Sequence, residues 1–261
     1  MGAERGQNGA FARCADAAIP VGWEYGHEAR PAREERTMPV FTPAPGPIRS
    51  SSRWVTEHFH LTTAENGTPA LRAAAQHGSS VPDLTIYPLP RGDVRSLQRV
   101  FDGMSPASRR MRFLGATPYL NPDLVARLAD VDHDTHGCWV AELGGEPIGI
   151  GRYIRTAGDP SVAEIALEVV DACQGQGVGR LLLDVVGAAA ADVGVTSLLW
   201  LMDETNRRVR RLAAPLGGRF ILDTGVLEGT TALPSVAPLD AVQIVRCARA
   251  ARRRAAAPAA A

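Results

Sequence analysis

Residues 163 to 194 read A-E-I-A-L-E-V-V-D-A-C-Q-G-Q-G-V-G-R-L-L-L-D-V-V-G-A-A-A-A-D-V-G. The first part has strand character: Ile165, Leu167, Val169 and Val170 are apolar, and Glu164 and Glu168 fall on the alternate face of a period-2 pattern. The last part has helix character, with Leu182, Val185, Val186 and Ala189 spaced i, i+3, i+4 and i+7, and with Gly194 placed as a C-terminal cap. Between them lies a loop carrying Gly175, Gly177 and Gly179, flanked by Gln174 and Arg180.

A strand that feeds a glycine-rich turn and then a helix N-terminus makes an anion site. The first amides of the helix have no internal acceptors, they point the same way, and the helix dipole adds about half a positive charge there. Glycines let the backbone approach a phosphate closely. A P-loop is excluded, because it needs Gly-Lys-Ser/Thr and the chain contains no lysine. The dinucleotide fingerprint G-x-G-x-x-G is nearly met, but Arg180 stands at its last glycine, although Asp203 could imitate the ribose-binding acid. Gln174-Gly175-Gln176-Gly177-Val178-Gly179 fits better elsewhere: it resembles the Q/R-x-x-G-x-G/A signature of the GNAT superfamily, the GCN5-related N-acetyltransferases. That resemblance implies that the loop amides hold the pyrophosphate of an acyl-coenzyme A.

At 261 residues the chain has ample length for one core. Its formal charge is zero, so no global attraction to nucleic acid or to a membrane surface follows. Cys14, Cys138, Cys173 and Cys247 lie far apart with no C-x-x-C, which fits neither a disulfide framework nor a zinc ribbon. The sequence has no run of about 18 apolar residues and no secretory leader pattern, so a cytoplasmic setting is expected.

Residues 1 to 80 are rich in Ala, Gly, Pro, Arg and Ser and are expected to form a largely disordered arm, apart from Trp23, Tyr25 and the segment Trp54 to Leu61, which could make one strand or short helix. The folded domain is placed at 81 to 249, followed by a disordered Arg- and Ala-rich tail at 250 to 261. Within the domain, Leu84 to Leu89 reads as a strand. Gly92-Asp93, Ser105-Pro106 and Asn121-Pro122 each announce a helix. Cys138 to Leu143 and Pro147 to Ile154 form a hairpin about Gly144-Gly145, and Ser197 to Met202 is a buried strand. Asn206 caps a helix that ends at Gly217-Gly218; Arg219 to Val226 and Ala241 to Cys247 are the closing strands.

The order β-α-α-β-β-β-α-β-α-β-β is that of the GNAT fold, and the resemblance covers Leu84 to Cys247. It implies an α/β (α+β) class with a mixed central sheet of about six to seven strands flanked by helices, the acyl-CoA site lying where central parallel strands splay. In detail the chain looks closest to the catalytic domains of bacterial protein-lysine acetyltransferases, on Met104-Ser105-Pro106-Ala107-Ser108, Arg112-Phe113, Val131-Asp132-His133 with His136, Gly151-Arg152-Tyr153, Ala163-Glu164-Ile165-Ala166 and Asn206-Arg207-Arg208.

The resemblance implies acetyl transfer from acetyl-CoA to a primary amine, a protein lysine or a small molecule, with no metal; a non-catalytic acyl-CoA-binding module is the alternative. Glu164 matches the family's catalytic glutamate, and Glu168 is the second choice. A β-bulge, common in this strand of the family, would change the facing of Glu168. Donor-binding residues are expected at Val169, Val170, Gln174, Gly175, Gln176, Gly177, Val178, Gly179, Arg180 and Asn206, with a backbone N–H near Val169 or Val170 meeting the oxyanion. Many members carry a tyrosine seven residues after that asparagine as general acid; this chain has Ala213. His133 and His136 have a spacing that could suggest ligands, but no further cluster accompanies them. Arg152 and Tyr153 border the acceptor site or simply pack. The protein is expected to act as a monomer or homodimer.

Overall fold

The computed structural model describes residues 40–41, 59–73, 84–236 and 238–257. Trp23, Tyr25 and Trp54 lie outside them. The first strands are β1 (Val40–Phe41), β2 (Phe59–Thr63), β3 (Pro69–Ala73) and β4 (Leu84–Pro88). Helices α1 (Val94–Asp102), α2 (Pro106–Phe113) and α3 (Pro122–Ala129) follow. Next come β5 (His136–Leu143), β6 (Glu146–Arg155) and β7 (Val162–Val169), then α4 (Val178–Asp192), β8 (Ser197–Asp203) and α5 (Arg207–Ala213). The chain closes with β9 (Arg219–Asp223), β10 (Val226–Ala232) and α6 (Pro238–Ala255).

Among the described residues, ten strands form one mixed sheet in the order β1-β9-β10-β8-β7-β6-β5-β4-β3-β2. Every neighbouring pair is antiparallel except β7 and β8. The three helix starts read from sequence are side-chain caps: Asp93, Ser105 and Asn121 accept from the amides of Ser96, Ser108 and Leu124. Gly144 and Gly145 both take positive φ, as a two-residue hairpin turn requires.

The sheet is wider than expected, for three local reasons. Phe59–Thr63 overlaps the segment Trp54 to Leu61 set apart from the arm, while Pro69–Ala73 falls inside the stretch expected to be irregular; the two form a hairpin whose second strand pairs with β4. Phe59 is tied to the last helix, since its amide donates to Asp240 of α6 at 2.7 Å. Thr224 and Gly225 both have positive φ and turn the chain back, so Arg219 to Val226 is not one strand and β10 follows it. Ala241 to Cys247, expected as a strand, lies within α6. Its apolar residues belong to the stripe Ile244, Cys247, Ala248 and Ala251, all buried at helical spacing. Because that helix runs through Ala255, residues 250 to 255 are helical too and not tail.

The sheet divides two apolar clusters. Helix α4 and the inner face of α6 cover one side, packing Leu182, Val186, Ile244 and Cys247 against Trp139, Ile165 and Leu198. A Cβ at Gly151 would sit 2.9 Å from Val186 and 3.2 Å from Leu182, so β6 needs glycine there for α4 to approach. Helices α1, α2 and α3 cover the other side, where Leu97, Phe101, Phe113 and Leu128 meet Cys138, Val140 and Ile150.

Candidate active site

Strands β7 and β8 pair over only three residues, from Val162↔Ser197 to Glu164↔Leu199, and then separate. The gap opens a cleft of about 400 Å³ whose walls include Glu164 to Val169, Trp200 to Met202, Met104, Met111, Asn206 and Arg208. Its floor is decided by the ladder on the other edge of β7. The Val170 amide donates to the Ile148 carbonyl at 2.9 Å, and Val169 stands opposite Gly149. Bonded and non-bonded pairs alternate along an antiparallel ladder. Hence Glu164, Ala166 and Glu168 bond to β6, while the amides of Leu167 and Val169 point toward the gap that β8 has left. Val170, expected beside Val169 as a possible oxyanion donor, has its amide occupied.

The loop after β7 begins with a 3-10 turn at Asp171–Cys173 and reaches α4 through Gly175 (φ 75°) and Gly177 (φ 96°). These left-handed positions suit glycine and aim successive amides outward. Among the described residues, the amides of Gly175 to Gly179 have no acceptor. The side chains of the loop are mostly engaged with protein. Gln174 donates to the Val169 carbonyl (2.9 Å), to Asp171 (3.0 Å) and to Ser108 (3.3 Å), which ties the loop to the end of β7 and to α2. Gln176 donates to the Ala172 carbonyl, and Arg180 pairs with Asp184 at 2.9 Å. Val178 is buried in the core, and Gly179 packs near Leu212. Val170, Gln176 and Val178 are not among the residues that line the cleft; Val169, Gln174, Gly175, Gly177, Gly179, Arg180 and Asn206 are. Asn206 caps α5 by accepting from the Val209 amide at 3.2 Å.

The two glutamates of β7 stand on one face, because the β6–β7 register runs unbroken from Ala163 to Val169. The bulge that would change the facing of Glu168 is absent; the shift in this part of the sheet falls between Ala141 and Glu142 of β5. Glu168 is paired with Arg112 of α2, whose Nε lies 2.9 Å from its carboxylate, both side chains being buried. Glu164 is 5% exposed and its Oε2 has no hydrogen-bond partner among the described residues. Desolvation pushes the Glu164 carboxyl above its ordinary range, Arg112 and Arg152 oppose that rise, and Glu228 adds to it. A buried carboxylate with a raised affinity for protons, in the wall of a cleft, has the chemistry of a general base.

Arg152 and Tyr153 do not border the cleft. The Tyr153 hydroxyl donates to the His133 carbonyl at 3.0 Å, and Arg152 is enclosed between the sheet and α3. His133 and His136 are buried, with ring nitrogens directed at the carbonyls of Leu89 and Asp130. Burial lowers both, His136 to about 3. Among the described residues no group of His, Cys, Asp and Glu is placed to hold a metal ion. Ala213, seven residues after Asn206, is buried and packs in the core. Sequence reasoning missed Arg112 as a site residue: its partner lies 56 residues away, and no local pattern connects them.

Residues 106–217 match the acetyltransferase (GNAT) family. The protein has the GNAT acetyltransferase fold. An acetyltransferase of Pseudomonas aeruginosa is 29% identical over 136 residues, which are 51% of this chain and 73% of that protein. The acetyltransferase Pat of Mycolicibacterium smegmatis is 30% identical over 122 residues, 46% of this chain, and the match spans 36% of Pat. Among solved structures, the GNAT domain of S. lividans PAT superposes with a TM-score of 0.54 at 24% identity, over 67% of this chain and 97% of that one. A cAMP-binding acyltransferase from Mycobacterium smegmatis gives 0.51 at 22% identity, over 76% of this chain and 56% of that one. The GNAT match spans α2 through α5, the segment that builds the splayed strands, the loop and the cleft. Among the described residues no helix is long and apolar enough to cross a membrane.

Proposed function

We propose that the protein is an acetyl-CoA-dependent N-acetyltransferase whose acceptor is a primary amine, either the side chain of a protein lysine or a small molecule. The observation that carries this reading is the unpaired, buried Glu164 carboxylate in the wall of a cleft whose other edge is a row of amides without acceptors. The loop amides from Gly175 to Gly179 suit the pyrophosphate of the donor, and the α4 dipole favours negative charge there. The Val169 N–H, facing the gap, suits the oxygen of a thioester carbonyl as it becomes an oxyanion.

In this mechanism Glu164 takes a proton from the acceptor ammonium, directly or through a water, and the freed amine attacks the thioester carbon. The N–C bond forms, the C–S bond breaks, and the sulfur leaves as thiolate. The nitrogen loses its second proton as the amide forms, and the thiolate takes up a proton from solvent. A thiolate is a stable leaving group, so a general acid in place of the buried Ala213 is not required.

The lysine reading of the acceptor rests on the motif segments that resemble those of protein-lysine acetyltransferases. Glu164 favours an enzyme over a non-catalytic acyl-CoA-binding module; the absent tyrosine is the single feature on the other side. Isothermal titration should show acetyl-CoA binding, and Gly177→Val should abolish it, because a branched residue is strained at φ 96° and occupies the anion side of the loop. Equal binding by both proteins, or NAD binding without CoA binding, contradicts the proposal.

A further inference from the structure

Arg152 lies in the middle of β6 and is 1% exposed. Taking a guanidinium out of water costs several kcal/mol unless an anion or several acceptors replace the water. One nitrogen is satisfied by neutral groups: Nη1 donates to the Leu128 carbonyl and to His136 Nε2, each at 3.2 Å. His136 can accept there only as the neutral tautomer that carries its proton on Nδ1, facing the Asp130 carbonyl at 3.2 Å. Cys138, directly opposite Arg152 on β5, is buried and its thiol is pushed up to about 11, so it is neutral as well. Nε and Nη2 of Arg152 are buried with no acceptor among the described residues.

The strand register points to the counter-charge. Arg152 stands opposite Ala166, and the next residues on that face of β7 are Glu164 and Glu168. Diagonal neighbours of this kind have backbones about 7–8 Å apart, within reach of a long side chain. Glu168 is taken by Arg112. Glu164 is not, and its Oε2 is the buried acceptor without a donor. The buried face of α1, formed by Ser96, Leu97, Val100 and Phe101, brings no charge. The charges acting on Glu164 are therefore Arg112 from α2, Arg152 from β6 and Glu228 from β10, with the paired Glu168 further along its own strand.

We infer that Arg152 is a positioning residue for Glu164: clamped by Leu128 and His136, its guanidinium fixes a positive charge diagonally across the β6–β7 ladder that favours the ionised carboxylate. This rests on the reading of Glu164 as the base. Arg112 also acts on Glu164, but its Nε is paired with Glu168, whereas the fixed partners of Arg152 are neutral groups.

The test reads the charge state of Glu164 without turnover. The carboxyl carbon of Glu164 is followed by ¹³C NMR against pH, assigned by its loss in Glu164→Gln. In Arg152→Gln, which keeps hydrogen-bond donors and removes the charge, the Glu164 midpoint should rise by about one pH unit. Arg152→Lys should restore most of the difference. If Arg152→Gln does not fold, the wild type still decides: its Arg152 Nε–H resonance, assigned through Arg152→Lys, should titrate with the Glu164 midpoint and lose that step in Glu164→Gln. On an accepted amine, the acid limb of kcat/KM should shift by the same amount in Arg152→Gln, with KM for acetyl-CoA unchanged. An unmoved Glu164 midpoint, or an Arg152 resonance blind to it, overturns the inference. Full turnover by Glu164→Gln alongside a shifted midpoint would instead remove Glu164 as base and leave the electrostatic pairing intact.

Discussion

The two faces of β7 do opposite work. On the α4 side, Ile165, Leu167 and Val169 join an apolar cluster with Leu182, Val185 and Val186, and stability there comes from area removed from water. On the α1–α3 side the same strand presents Glu164 and Glu168 to Arg112 and Arg152, all four buried. Those charges gain little over apolar residues of the same volume, and each becomes costly if its partner is removed. The difference teaches that the site is held in place by one face and made reactive by the other.

Breaking the charged face should cost most. Arg112→Met leaves Glu168 buried and unpaired, and urea unfolding should show a loss of about 3–5 kcal/mol, the range for a broken buried pair. A double variant Arg112→Met with Glu168→Leu should recover much of it. On the opposite face, Leu182→Ala removes a fully buried side chain between β6 and α4 and should cost about 2–5 kcal/mol. Acetyl-CoA affinity should then fall only as far as the loop at the start of α4 loosens.

The smallest effect has the opposite sign. Burial raises the Glu164 carboxyl above its ordinary value of 4.5, so the native state binds a proton more tightly than the unfolded chain. Stability therefore falls as pH rises from the unfolded value through the folded one. Glu164→Gln removes that penalty. It should be more stable than wild type at pH 7, and the gain should shrink as pH falls toward 4. A variant that is less stable at pH 7 would show that Glu164 is held by its neighbours more tightly than burial disfavours it.

What the sequence disclosed depended on the distance between interacting residues. Asp93, Ser105 and Asn121 cap helices three residues away, so their roles were readable from a short window. The loop from Gly175 to Gly179 and the helix after it were readable for the same reason, since glycines at left-handed positions leave a local signature. Arg112 and Glu168, 56 residues apart, meet only once the sheet is assembled, and the pairing that separates Glu168 from Glu164 has no linear signal. Leu71 of the first hairpin sits among small and polar residues that dilute the alternation, which hid β3, while the start of β2 was readable only as part of Trp54 to Leu61. In Ala241 to Cys247 a seven-residue window with Val242, Ile244 and Val245 mimics a strand; only the longer stripe to Ala251 shows the helix.

The central claim is that Glu164 is the proton acceptor and that Glu168, on the same face of the same strand, is not. The most direct measurement is acetyl-CoA consumption by wild type, Glu164→Gln and Glu168→Gln, on a panel of lysine peptides and small amines across pH. On an accepted amine at neutral pH, Glu164→Gln should lose roughly 10²- to 10⁴-fold in turnover with acetyl-CoA affinity little changed, and should recover in part as rising pH deprotonates the amine unaided. Glu168→Gln should lose much less. Equal turnover by wild type and Glu164→Gln would contradict the account, and so would a wild type that binds CoA yet acetylates no amine in the panel.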